Sequence, residues 1–333
     1  MWSSAAPMHA RQLKRDNDVS RRVSRAVAFA LLAWASMTAC RKATEKTLGG
    51  DRPLDPESAV DRIKTTGKVR FGYRIDARPF SFEESGKAAG YAVDLCKTVA
   101  KSIVTQLDVP NLKVEWVPVT VDSWSDAVTQ HRVDAYCSAV TETLERRKTV
   151  DFSLPIFPGG VAAIVRADSP EALKEVLLGL TDVNKATSAS TARNAVRGQT
   201  FAVMKGTTAE QWLSERRNAL DLDSKVLVVD GYAAGVRAVA DGRASAFFGQ
   251  IAMLRDVVRR DKDAASLAVV ERMFTYEPVA LAMQRDDDDF RLLVDRALSE
   301  RFAAADFWAT YTRWFGMPDP TDVVFYLWNT LPK

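Results

Sequence analysis

Histidine is almost missing from this chain: there are two in 333 residues, His9 and His131. With no imidazole cluster, and only three cysteines spaced far apart, no metal site and no cofactor is expected. An excess of one charge is lacking as well, because 46 Lys and Arg face 43 Asp and Glu and leave a net +3. Nothing in that balance suggests a nucleic-acid partner. A long hydrophobic run is absent too. The apolar stretch at 26–39 is too short to span a bilayer as a permanent helix, and a basic run with Arg11, Lys14, Arg15, Arg21, Arg22 and Arg25 precedes it. Basic then apolar is the order of an export signal. What remains is 47% hydrophobic and 27% charged, the profile of a soluble globular protein long enough for two domains.

The leader closes on Met37-Thr38-Ala39-Cys40. These residues resemble a bacterial lipobox in which Met37 replaces the usual Leu, so Cys40 is expected to become the lipidated first residue of a periplasmic protein. A plain signal cut near Ala39 is the alternative, and the long basic leader leaves a start at Met8 open. Residues 40–58 read as a tether, polar with Gly49-Gly50 and prolines. Cys96 and Cys137 read as two small buried hydrophobes, with pairing in an oxidising compartment as the alternative.

Beyond the tether, strand-like and helix-like patterns alternate, which predicts mostly parallel, helix-covered sheets. Strands are expected at 68–73, 113–117 and 133–137, with helices at 91–104 and 124–130 and a Pro79-broken loop at 75–82. A second run of the same kind starts at Gly159, with an exposed insertion at 180–197 rich in Thr, Ser, Ala and Asn. Asp286 to Asp289 read as a solvated helix start. The expected division is a signal at 1–39, the tether at 40–58, one lobe from 59–157 and 277–333, and a second lobe from 158–276. Two crossings, near 155–158 and 276–278, then leave a cleft, where small ligands usually bind.

The stretch 133–153 is the most specific. It opens as a strand, breaks at Ser138, Thr141 and Thr143, and enters a charged segment whose Arg146 can turn back on the loop. Hydroxyls, free backbone N–H groups and one guanidinium suit a carboxylate. Thr207 and Thr208 follow Gly206 at a strand-to-helix turn, where hydroxyls and N–H groups can hold an anion from the other lobe. One of the two threonines is explained by a simple helix cap.

The wording of Arg78-Pro79-Phe80-Ser81-Phe82, Gly90-Tyr91-Ala92-Val93-Asp94-Leu95, the stretch 143–153, Gly206-Thr207-Thr208 and Arg313-Trp314-Phe315-Gly316 resembles the family 3 extracellular solute-binding proteins. The glutamate/aspartate binders are the nearest likeness, and the resemblance covers roughly 67–316. It implies the type II periplasmic-binding fold, two α/β lobes around a central cleft, and a monomer that delivers a small carboxylate-bearing ligand, most simply an amino acid, to an ABC permease without catalysis. By the same resemblance Arg146 grips the ligand's α-carboxylate, Thr141 supplies a hydroxyl where Ala139 has lost one unless Ser138 replaces it, and Arg74 faces a side-chain carboxylate or pairs with Asp76. Phe80 and Phe82 pack on the ligand or in the core. Two positions depart from the pattern: Gln250 stands where the family carries the aspartate for the α-ammonium, and Tyr232 stands where the glutamate/aspartate binders carry a histidine. Asp230 and Glu142 are the candidate replacements for the lost acid. The other readings are a ligand sensor on the same scaffold and a periplasmic dehydratase-like enzyme.

Overall fold

The computed structural model describes residues 58–180, 186–260 and 266–332. The leader and Cys40 lie outside them.

The first lobe begins with α1 (Ala59–Thr66) and β1 (Lys68–Tyr73) and continues through β2 (Asp76–Ala77), β3 (Ser81–Glu84), β4 (Lys87–Ala89), α2 (Tyr91–Leu107), β5 (Lys113–Pro118), α3 (Trp124–Thr129) and β6 (Ala135–Thr141). After a tight helical turn at Arg146–Lys148 come β7 (Val150–Phe152) and β8 (Phe157–Gly159). The second lobe holds β9 (Val161–Arg166), α4 (Glu171–Leu178), α5 (Ala186–Val196), β10 (Thr200–Met204), α6 (Thr208–Leu220), β11 (Lys225–Val229), α7 (Tyr232–Ala240), β12 (Ala246–Gln250), α8 (Ile251–Arg260) and β13 (Leu267–Val270). The chain then returns through β14 (Glu277–Gln284), α9 (Asp288–Ala303), α10 (Phe307–Phe315) and α11 (Pro320–Trp328).

The two main sheets repeat one plan. In the first, β5, β1 and β6 run parallel, β14 lies antiparallel beside β6, and β7 and β8 pair with β14. In the second, β11, β10 and β12 run parallel, and β9 then β13 close the edge antiparallel. Parallel neighbours need helical crossovers, and those helices cover both faces. Hence β9 and β14 are buried along almost their whole length. Glu277 opposite Gly159 is the register at which the two crossing segments pair, so the crossings form one short hinge ribbon.

One core cluster joins Phe71, Leu95, Val99 and Ile103 to Phe290, Val294 and Leu298, and each such side chain contributes about 1.5–3 kcal/mol on full burial. Phe80 belongs to this cluster, edge-on to Tyr91 and Phe157 and against Phe315 at 6.3, 5.3 and 5.5 Å. Asp94 accepts from Trp314 Nε1 at 2.9 Å and also pairs with Arg313. The segments 78–82, 90–95 and 313–316 therefore meet as structural packing.

Three expectations need correction. Cys96 and Cys137 are fully buried, but as a disulfide that ties α2 to β6. The loop at 75–82 contains strands of a small antiparallel sheet, β2-β3-β4. The segment read as an exposed insertion carries α5, whose Ala192 and Val196 are buried. Its Thr, Ser and Asn content is poor for a helix, and tertiary burial overrides that propensity.

Candidate ligand-binding cleft

Strand β6 and the turn after it form one wall. Thr141 and Ala139 line the cleft from the strand, and Arg146 returns across it, donating from Nη1 to the Thr141 carbonyl at 2.7 Å. The guanidinium lies 5.8 Å from the Trp124 ring centroid, within cation–π range. Trp124 is itself stacked on Tyr136 at 5.5 Å. Burial lowers the Arg146 pKa and Glu277 opposes that shift, yet no carboxylate among the described residues forms a salt bridge with it. Among the described residues this half-buried guanidinium meets one carbonyl and one ring at close range, so it keeps donors for an incoming anion.

Arg74 also lines this wall and is buried, but Nε and Nη2 both donate to Asp76 at 2.8 Å. Burial pulls its pKa down, and the hydrogen bonds and charge of Asp76 outweigh it, so the pKa ends raised. Both readings of Arg74 thus meet in one residue, a cleft-lining arginine whose fork is largely occupied. Ser138 does not line the cleft. It is fully buried and accepts from the Ser81 hydroxyl at 2.7 Å, so it leaves the oxygen missing at Ala139 unreplaced. Alternation along a strand puts 138 and 139 on opposite faces. Phe80 and Phe82 are likewise absent from the lining.

The second wall carries no charged side chain of its own at the site. Thr207 caps α6, accepting from Glu210 N and donating to the Met204 carbonyl at 2.7 Å, while Glu210 takes the Gly206 N–H at 2.8 Å. Thr207 and Thr208 both line the cleft, but the Thr207 hydroxyl is already spent on the cap. The Tyr232 hydroxyl accepts from Gln250 N at 2.8 Å, and burial pushes its pKa up to about 12. Gly249 permits this approach, because a Cβ there would stand 2.9 Å from that hydroxyl. Gln250 Oε1 accepts from Ala252 N and Met253 N at 2.7 and 3.2 Å, so the amide is oriented with Nε2 as its remaining donor. Nε2 is buried and has no partner.

One charged lining residue was not expected. Glu277, the first residue of β14, accepts from Thr141 Oγ1 at 3.1 Å and Thr208 Oγ1 at 2.6 Å on one oxygen, and from Thr275 Oγ1 at 2.7 Å on the other. Its signal in the sequence was an isolated acid beside Pro278 at the expected crossing. The two acids proposed to replace the missing aspartate are elsewhere: Glu142 pairs with Arg147, and Asp230 borders a neighbouring hollow with Asp76. The cleft volume is about 70 Å³. At roughly 10–15 Å³ per water-sized site, that is room for about five to seven of them.

The model of the bacterial extracellular solute-binding proteins, family 3, matches residues 69–317. The chain belongs to that family. An L-glutamate/L-aspartate-binding protein of Pseudomonas aeruginosa is 26% identical over 263 residues, covering 78% of this chain and 81% of that one. A glutamate/aspartate import solute-binding protein of Salmonella typhimurium is 22% identical over 269 residues, covering 79% of this chain and 81% of the other. Among solved structures, an ancestral amino acid-binding protein described as a precursor of cyclohexadienyl dehydratase is 27% identical with a TM-score of 0.62, covering 78% of this chain and 99% of that one. Membership makes this a solute-binding protein and not an enzyme, on the type II two-lobed fold. Among the described residues, no helix is long and apolar enough to cross a membrane.

Proposed function

We propose that this protein captures one acidic or polar amino acid in the cleft and presents it to the membrane subunits of an ABC importer. The observation that carries this reading is Arg146: a half-buried guanidinium that forms no salt bridge among the described residues, at the wall of the cleft. A planar fork there matches a carboxylate. The relatives named as glutamate/aspartate binders support the acidic class, and Arg74 supports it less than its position suggests, because Asp76 already holds its fork. Calorimetry with the twenty standard L-amino acids tests the reading. Binding by one or a few, lost in Arg146→Ala, is the expected result; no binding by any of them overturns it.

In this reading the protein works as a periplasmic monomer anchored through lipid on Cys40. Cys40→Ser should release it from the membrane fraction, and mass spectrometry of the membrane-bound protein showing an unmodified start at Cys40 or Arg41 would reject the anchor. Each lobe supplies part of the site, so ligand should close the hinge. Small-angle scattering should record a smaller radius of gyration at saturating ligand; an unchanged radius argues against closure.

A further inference from the structure

We infer that Glu277, and not the residue at position 250, receives the ligand's ammonium, and that Gln250 Nε2 donates to an acceptor on the same ligand. This rests on the proposed amino-acid reading and assigns its polar groups. Gln250 is unsuited to an ammonium as it stands. Its carbonyl oxygen is spent on Ala252 N and Met253 N, and the group left is a buried, unpartnered donor. A donor cannot satisfy an ammonium, which has three donors and no acceptor of its own. An acceptor on the ligand, such as a carboxylate, carbonyl or hydroxyl oxygen, does satisfy it.

The missing negative charge has moved to the hinge ribbon. Glu277 is bordered by the same residue as Gln250: a Cβ on Gly159 would lie 2.7 Å from Gln250 Nε2 and 2.9 Å from the Glu277 carbonyl oxygen. The Glu277 carboxylate is fixed by three threonine hydroxyls and forms no salt bridge among the described residues. An ionised carboxylate has about four acceptor positions, so three hydroxyl bonds leave room for one more donor. Arg146 faces the same cavity and feels the Glu277 charge, but neither forms a salt bridge among the described residues. One cation and one anion facing a shared small cavity without touching complement a zwitterion. The ligand class that follows is an α-amino acid carrying a further acceptor for Gln250, with its carboxylate on Arg146 and its amine on Glu277.

The test compares each binding amino acid with the analogue that lacks only the amine, on the mature full-length protein by calorimetry: L-glutamate against glutarate, L-glutamine against glutaramate. Wild type should prefer the amine-bearing ligand by about 10- to 100-fold, the size of a charge-assisted hydrogen bond. Glu277→Gln should cut that preference to about threefold or less while the amine-free analogue binds as well as before or better. Glu277→Asp should keep part of it. Wild type binding glutarate as tightly as glutamate overturns the inference without any variant, and so covers the case in which Glu277→Gln fails to fold. If Glu277→Gln tightens both ligands equally and leaves the preference intact, Glu277 is a competitor lodged in the anion slot and the inference is wrong. Binding with an unchanged preference rejects only this assignment, whereas no binding by any amino acid rejects the proposed function with it.

Discussion

The two walls of the cleft differ in what they place there. The first lobe supplies both arginines, Arg74 just after β1 and Arg146 in the turn after β6, the strand that the Cys96–Cys137 disulfide ties to α2. The second lobe supplies only neutral groups, the hydroxyls of Thr208 and Tyr232 and the amide of Gln250. The acid, Glu277, belongs to the hinge ribbon between them. Charge concentrated on one wall attracts and orients a ligand before closure, since Coulombic attraction acts at longer range than a hydroxyl's hydrogen bond. A neutral second wall can then close without desolvating another ion.

The largest effect should come from the charged wall. Arg146→Ala should cost about 2–5 kcal/mol of binding, roughly 30- to several-thousand-fold in Kd by calorimetry, because it leaves the ligand's carboxylate buried and unpaired. Equal losses from either lobe would erase the contrast. Next, removing the disulfide by a paired Cys96→Ala and Cys137→Ala change should lower stability by about 2–4 kcal/mol in urea unfolding. Unfolding of the wild type that is insensitive to reductant would remove the bond from the comparison. On the neutral wall, Thr208→Val should weaken binding by about 1 kcal/mol, near fivefold, with little change in stability. A loss as large as that of Arg146→Ala would break the comparison from the other side. The smallest effect sharpens it: Thr207→Ala should lower stability by about 1 kcal/mol through the lost helix cap and leave Kd within about twofold. A tenfold loss of affinity would put Thr207 on the ligand.

Much of the frame was legible. Strand and helix alternation located the parallel strands and both crossings, because hydrophobic period follows from which faces are covered. Arg146 and Thr141 were legible through the family resemblance, and Thr208 from its place at a strand-to-helix turn. Phe80, left open between ligand and core, was decided for the core by partners distant in sequence, Phe157 and Phe315. Ser138 could have been placed by strand alternation alone, since it neighbours the cleft-facing Ala139. Cys96 and Cys137 illustrate the opposite limit, as a separation of 41 residues says nothing about distance.

By itself, the sequence determined the fold, the crossings, and the chemical inventory: two arginines for anions, a glutamine where an acid was expected, and paired threonines at a helix start. The alternation of strands and helices follows from local periodicity and the inventory from side-chain chemistry, while the two-lobed fold and the missing acid at Gln250 follow from the resemblance to the family. Only tertiary structure decided how that inventory is used. It spends the fork of Arg74 on Asp76, turns Ser138 away, leaves the buried Gln250 Nε2 without a partner and brings Thr141, Thr208 and Thr275 around Glu277. The physical reason is that a hydrogen bond is set by position and direction in space, and the groups meeting at Glu277 come from three segments of the chain, joined by the pairing of β6 with β14 and by the approach of Thr208 from the second lobe.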